Sequence, residues 1–168
     1  MVTAAFIQEF DQEAATTRRV LDRVPEDRLS WKPHAKSMSL GTLALHVAAS
    51  PAFIAEWAVQ DKVEMSANFE ASPEPKSKSE ILAAHDEGVA KTKAALSKIG
   101  DDGMMKDWKL TGPDGSTIMA MPKVALVRAI VMNHTYHHRG QLSVYLRLLD
   151  VPVPSIYGPS ADEGPAGR

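Results

Sequence analysis

Cysteine is absent from the 168 residues, and that single lack removes disulfides, thiolate zinc sites and a protein thiol nucleophile together. It fits a reducing compartment, and the cytoplasm is the expected location. Charge blocks are missing too. Nineteen Lys and Arg against twenty-one Asp and Glu leave a net charge of -2, and the pI is near 6.3. With no basic stripe, nothing points to nucleic acid. No apolar run approaches the roughly eighteen residues of a membrane span, so no membrane role is expected. The opening stretch "MVTAAFIQEFDQEA" gains acids within its first ten residues, unlike a secretory signal. Internal repeats and low-complexity segments are also lacking. What remains is one ordinary domain, long enough to bury a core.

Helical periodicity is what the chain does contain, four times over. Across Thr3–Val24 the residues Phe6, Phe10, Ala14, Thr17, Leu21 and Val24 recur near a 3.6 spacing, and Pro25 ends the segment. The linker "PEDRLSWKPHAKS" should pack Trp31 and Pro33 on the helices. A second helix is predicted from Ser39 toward Gln60, with Thr42, Leu43, His46, Ala49, Ser50, Phe53 and Trp57 on one core face. Pro51 should kink it. After the polar connection "EMSANFEASPEPKSK", Ser77-x-x-Glu80 is a capping box for a third helix, which runs through Leu82, Val89 and Leu96 to Ile99 and stops at Gly100. The "GPDG" turn between residues 101 and 121 predicts a short hairpin or irregular excursion. The fourth helix spans Pro122–Asp150, opening on proline where a missing N–H costs nothing. Together these elements predict an all-α four-helix bundle over residues 1–150. The Pro/Gly-rich tail, residues 151–168, should pack on the bundle or extend from it, with mobile last residues.

The chemistry concentrates in "NHTYHHRGQL", residues 133–142, which holds His134, His137 and His138. At about 100° per residue, His134 and His138 share a side with Val127, Ile130, Val131, Leu142, Tyr145, Leu148 and Leu149. That places both histidines in the middle of the expected core stripe, one turn apart, where two rings can reach one ion. An imidazole nitrogen buried without a partner costs about 1–3 kcal/mol, and a shared metal ion relieves that cost. His137 lies at the stripe's edge, while Gln141 faces the core and can supply a supporting hydrogen bond. A third ligand should come from another helix: His46 leads, His85 competes, and His34 sits in a polar linker. Tyr136 and Arg139 fall on the far side, where solvent or an interface is expected. Gly140 suggests a close backbone approach. The scattered methionines, Met104, Met105, Met119, Met121 and Met132, read as packing. By itself H-x-x-x-H is a weak motif.

Four stretches in order carry more weight: "LSWKP" at 29–33, "LGTLALHVA" at 40–48, "NHTYHHRGQL" at 133–142 and "YGPSADE" at 157–163. With these the chain resembles the DinB-like (YfiT-like) family of four-helix-bundle metalloproteins over nearly its whole length. The resemblance implies a divalent ion, commonly nickel, zinc or iron, held by His46, His134 and His138. It offers His85 no ligand role and leaves His137 as a bystander or an outer supporting group. Some relatives look like thiol transferases that use a low-molecular-weight thiol, others like maleylpyruvate isomerases dependent on one. The implied activity is therefore a metal-dependent thiol S-transferase or hydrolase acting on a small molecule, in a homodimer. The alternative is a non-catalytic metal-binding protein of a stress response. Glu13 and Glu56 lie on inner helices, but spacing gives neither the role of general base.

Overall fold

The computed structural model describes residues 1–65 and 73–164. Three long helices, α1 (Val2–Asp22), α2 (Leu40–Val59) and α3 (Lys78–Met104), pack with a fourth rod built in three parts. That rod comprises α4 (Lys123–Leu126), a π-helical stretch (Val127–Asn133) and α5 (His134–Leu148).

The ends of these helices follow local chemistry. Ser39 Oγ accepts the Thr42 N–H at 3.1 Å and so starts α2. Ser77 Oγ accepts from Glu80 N at 3.2 Å, while the Glu80 carboxylate takes the Lys76 N–H at 2.8 Å. The predicted capping box is thus displaced by one residue on its return arm. Gly100, with φ of 63°, breaks α3 where the stop was expected, and one further turn then runs to Met104.

A purely α-helical reading is corrected by a three-stranded sheet in the order β1-β2-β3. Strand β1 (Lys62–Glu64) pairs parallel to β2 (Asp107–Thr111), which pairs antiparallel to β3 (Thr117–Pro122). The β2–β3 hairpin turns at "GPDG", where Gly115 takes φ of 79° and Asp114 Oδ1 accepts from Ser116 N at 3.0 Å. At three residues β1 is too short to show alternation, so its sequence carried no signal. The sheet closes one end of the bundle. Buried Trp108 donates its indole N–H to the Trp57 carbonyl at 3.1 Å, and buried Lys123 reaches the Val59 carbonyl at 3.2 Å and Asp61 at 2.7 Å.

Helix α2 is long and apolar enough, by length and composition alone, to cross a membrane, contrary to the reading of its apolar run. Here it is a core helix, burying Leu40, Leu43, Ala44, Val47, Ala48, Ile54, Ala55 and Ala58. Its other side, with Thr42, His46, Ala49 and Phe53, is half-buried or exposed, so the predicted core face was misplaced. Small or apolar residues surround almost the whole helix, and periodicity had nothing to choose between. The helix runs through Pro51 as one element.

Residues 151–164 pack on the bundle. Val151, Val153 and Ile156 join Trp31 and Tyr145 against the core cluster around Leu21, Leu43 and Leu146. Asp162 pairs with Arg147 and accepts the Val153 N–H at 2.9 Å, and Glu163 pairs with Arg19 and Arg23. Trp31 packs edge-on to Tyr145 at 5.6 Å, whereas Pro33 is exposed. The residues expected to be mobile, 165–168, and part of the 64–78 connection lie outside the described residues.

Candidate metal centre

The site lies where α2 and the fourth rod run antiparallel. Tyr145 Oη donates to the Met38 carbonyl at 3.4 Å near one end of α2, and Lys123 reaches Val59 at the other. Between these pins, His46 of α2 meets His134 and His138 of α5. The Nε2 atoms of His46 and His134 are 3.4 Å apart, and those of His138 and His134 are 3.0 Å apart. All three rings offer a nitrogen within 4.8 Å of the others. The rings stand nearly perpendicular, at 77° to 86°, with centroids 4.4 to 5.0 Å apart.

That spacing fits a cation. Imidazole nitrogens about 2.0–2.1 Å from one ion, at octahedral to tetrahedral angles, lie about 2.9–3.4 Å from each other. Both Nε2 separations, 3.4 and 3.0 Å, fall in that range. His138 is also oriented for ligation: its Nδ1–H donates to Gln141 Oε1 at 2.7 Å, which leaves the Nε2 lone pair free. His134 enters from the wide π-helical stretch just before it; such turns widen a helix and occur often at functional sites.

Electrostatics keep the cluster neutral. Burial, reinforced by the rings of His138, His46 and His137, pushes His134 down from 6.5 to about 4. Burial also lowers His46, with His138 adding to the effect. It lowers His138 too, against the opposing effect of the hydrogen bond that His138 donates to Gln141. Neutral rings are the ligating form.

A model of the DinB family matches residues 1–166. The chain belongs to the DinB family. It is 26% identical over 162 residues to the uncharacterized protein YrdA of Bacillus subtilis (strain 168), covering 94% of this chain and 89% of that one. Among solved structures it resembles a DinB-like protein from Bacillus cereus ATCC 10987, with a TM-score of 0.71 at 23% identity, covering 90% of this chain and 95% of that one. A DinB-like protein of Bacillus subtilis, YjoA, gives a TM-score of 0.68 at 22% identity, covering 88% and 96%. These two likenesses speak to the fold.

Within this DinB-family bundle none of the other histidines adds a nitrogen to the triad's cluster. His85 is buried on α3 and lines a small, partly open pocket of about 10 Å³ with Glu13, Thr17, Thr135 and Tyr136. His137 is exposed, its ring 4.8 Å from that of His138. His34 is exposed in the linker and accepts the Lys36 N–H at 3.2 Å.

Several expectations about α5 are corrected. Its buried line is Thr135, Arg139, Leu142 and Leu146, so His134 and His138 sit on the flank of the core stripe, half-buried. Gln141 is exposed rather than core-facing, and Leu148 is 58% exposed. A Cβ at Gly140 would meet nothing within 4 Å, so no close approach explains that glycine.

The largest miss is Arg139, which is 1% exposed. Its guanidinium binds Glu13 Oε2 at 2.7 Å, Thr17 Oγ1 at 3.1 Å and Tyr157 Oη at 2.7 Å. Tyr157 Oη in turn donates to Glu13 Oε2 at 2.9 Å. Tyr136, half-buried, donates to Glu9 at 2.9 Å, and Arg128 grips the same carboxylate at 2.7 Å with both arms. Charge disguised the arginine, although its spacing from Thr135, Leu142 and Leu146 already put it in the buried line. Glu13 is thereby committed to Arg139, and Glu56 is exposed on the outer side of α2. Among the described residues, no carboxylate joins the triad.

Proposed function

We propose that this DinB-family protein holds one divalent cation through the Nε2 atoms of His46, His134 and His138. In our reading it uses that site for thiol S-transfer or hydrolysis on a small molecule. The observation that carries the reading is the convergence of three neutral imidazoles from two helices at ion-sharing distances. Nickel, zinc and iron all suit such a donor set. Three protein ligands leave coordination positions open, the arrangement of catalytic rather than closed structural sites. When bound, the cation would supply Lewis acidity to a water or thiol that reaches it.

The chain's own residues do the rest. Burial keeps the three rings unprotonated near neutral pH, and Gln141 orients His138. Half-exposure of the three rings favours access by a small molecule over an enclosed structural ion. In the absence of a protein cysteine, a thiol nucleophile must come from the substrate.

Purified protein, loaded with zinc, nickel or iron, should be offered a panel of low-molecular-weight thiols with electrophiles, and of ester and amide substrates. At least one combination should turn over, stop on chelation and fail in His46→Ala. Absence of metal-dependent turnover across the panel would contradict the catalytic reading.

A further inference from the structure

Two buried polar atoms on the helices that carry the triad lack a hydrogen-bond partner among the described residues: Oγ of Ser50, one turn from His46, and Nδ1 of His134. Ser50 is 8% exposed. A buried hydroxyl inside a helix usually bonds to the carbonyl one turn back. Thr92 does so to Gly88 at 2.8 Å, and Thr135 to Val131 at 2.6 Å. Ser50 does not, and its hydroxyl is left uncommitted.

Its position follows from the antiparallel register. Ser50 lies one turn beyond His46 on α2, and His134 lies one turn before His138 on α5. Because the helices run in opposite directions, both steps lead toward the end where Lys123 meets Val59. Ser50 therefore stands at the level of His134 and the π-helical stretch.

A metal-bound histidine holds its tautomer by donating its other ring N–H to an acceptor. His138 has Gln141 for this purpose, whereas His134 has no acceptor within its own helix. We propose that Ser50 is a positioning residue of the centre. Its hydroxyl accepts the Nδ1–H of His134, by rotation about Cα–Cβ or through one bridging water, and so keeps the Nε2 lone pair turned toward His46 and His138. This inference rests on reading the triad as a cation site, and it assigns an outer partner to the ligand whose Nε2 lies 3.4 Å from that of His46 and 3.0 Å from that of His138.

The test compares wild type, Ser50→Ala and Ser50→Thr, each checked for folding by thermal melting. Alanine suits a buried helix position, so the first variant should fold. Zinc affinity is read by competition with a chromophoric chelator, and the solvent exchange of the His134 Nδ1–H by NMR of the zinc-loaded protein. Ser50→Ala should bind zinc about 10- to 100-fold more weakly, and its His134 Nδ1–H should exchange faster with solvent. Ser50→Thr, which restores a hydroxyl, should recover both readouts at least in part. If Ser50→Ala keeps zinc affinity within about twofold of wild type and the Nδ1–H exchange rate is unmoved, the inference is wrong while the triad stands. If wild type binds no zinc, nickel or iron, the cation reading fails and takes this inference with it.

Discussion

At the scale of single residues, the histidines of the triad differ from free imidazole in a direction that can be tested. His134 titrates at about 4 instead of 6.5 because burial and the neighbouring rings penalise its charged form. The unfolded chain therefore takes up protons first, so stability from this group is full above pH 6.5 and is lost as pH falls through about 4. Metal should follow the same window, since protons compete for the same nitrogens. Occupancy measured after dialysis should persist at about pH 6 and collapse toward pH 4; complete loss by about pH 6 would contradict the neutral cluster. This window lies below the one an unperturbed imidazole would give. Gln141→Ala should weaken metal affinity about 10-fold or more by freeing the His138 ring, whereas exposed His137→Ala should leave affinity unchanged. Arg139→Met removes the cation paired with the part-buried Glu13 carboxylate and leaves it only the Tyr157 hydroxyl. Breaking such a pair costs about 3–5 kcal/mol, measurable by urea unfolding, and a loss below about 1 kcal/mol would show the pair to be solvated.

At the scale of elements, the contact between α2 and α3 depends on small residues. A Cβ at Gly88 would lie 2.8 Å from the Ala48 carbonyl. Gly88→Ala should therefore destabilise by about 1–3 kcal/mol through overpacking, although alanine is the better helix former; a higher melting temperature would refute the close approach. The four helices were legible because Phe6, Phe10, Ala14 and Thr17, or the Ser77 cap and the Gly100 stop, are local signals. Strand β1 was not, since three residues cannot display a period. The facing of α2 and α5 was only partly legible. His46, His134 and His138 were correctly brought together as a cluster, but they were placed in the core centre when they lie on its flank. Hydrophobic periodicity averages over a helix that is apolar almost all round, and it discards a buried charge such as Arg139, whose partners lie 126 residues back in Glu13 and 18 ahead in Tyr157.

At the scale of the whole molecule, the C-terminal segment is part of the packed structure. It covers the core cluster with Val151, Val153 and Ile156 and returns Tyr157 to Arg139. Truncation after Asp150 should lower the melting temperature by on the order of 5 °C or more, because apolar surface is exposed and the Arg139 network loses a member. Unchanged melting would mean that the segment only rests on the bundle. The helices and the closing sheet hold the two histidine-bearing elements in one antiparallel register, and the triad depends on that register. The most direct measurement is elemental analysis of protein purified without an affinity tag, wild type beside His46→Ala. Wild type should carry about one equivalent of a divalent metal and the folded variant little or none. A metal-free wild type, or equal metal in both proteins, would contradict the three-histidine centre.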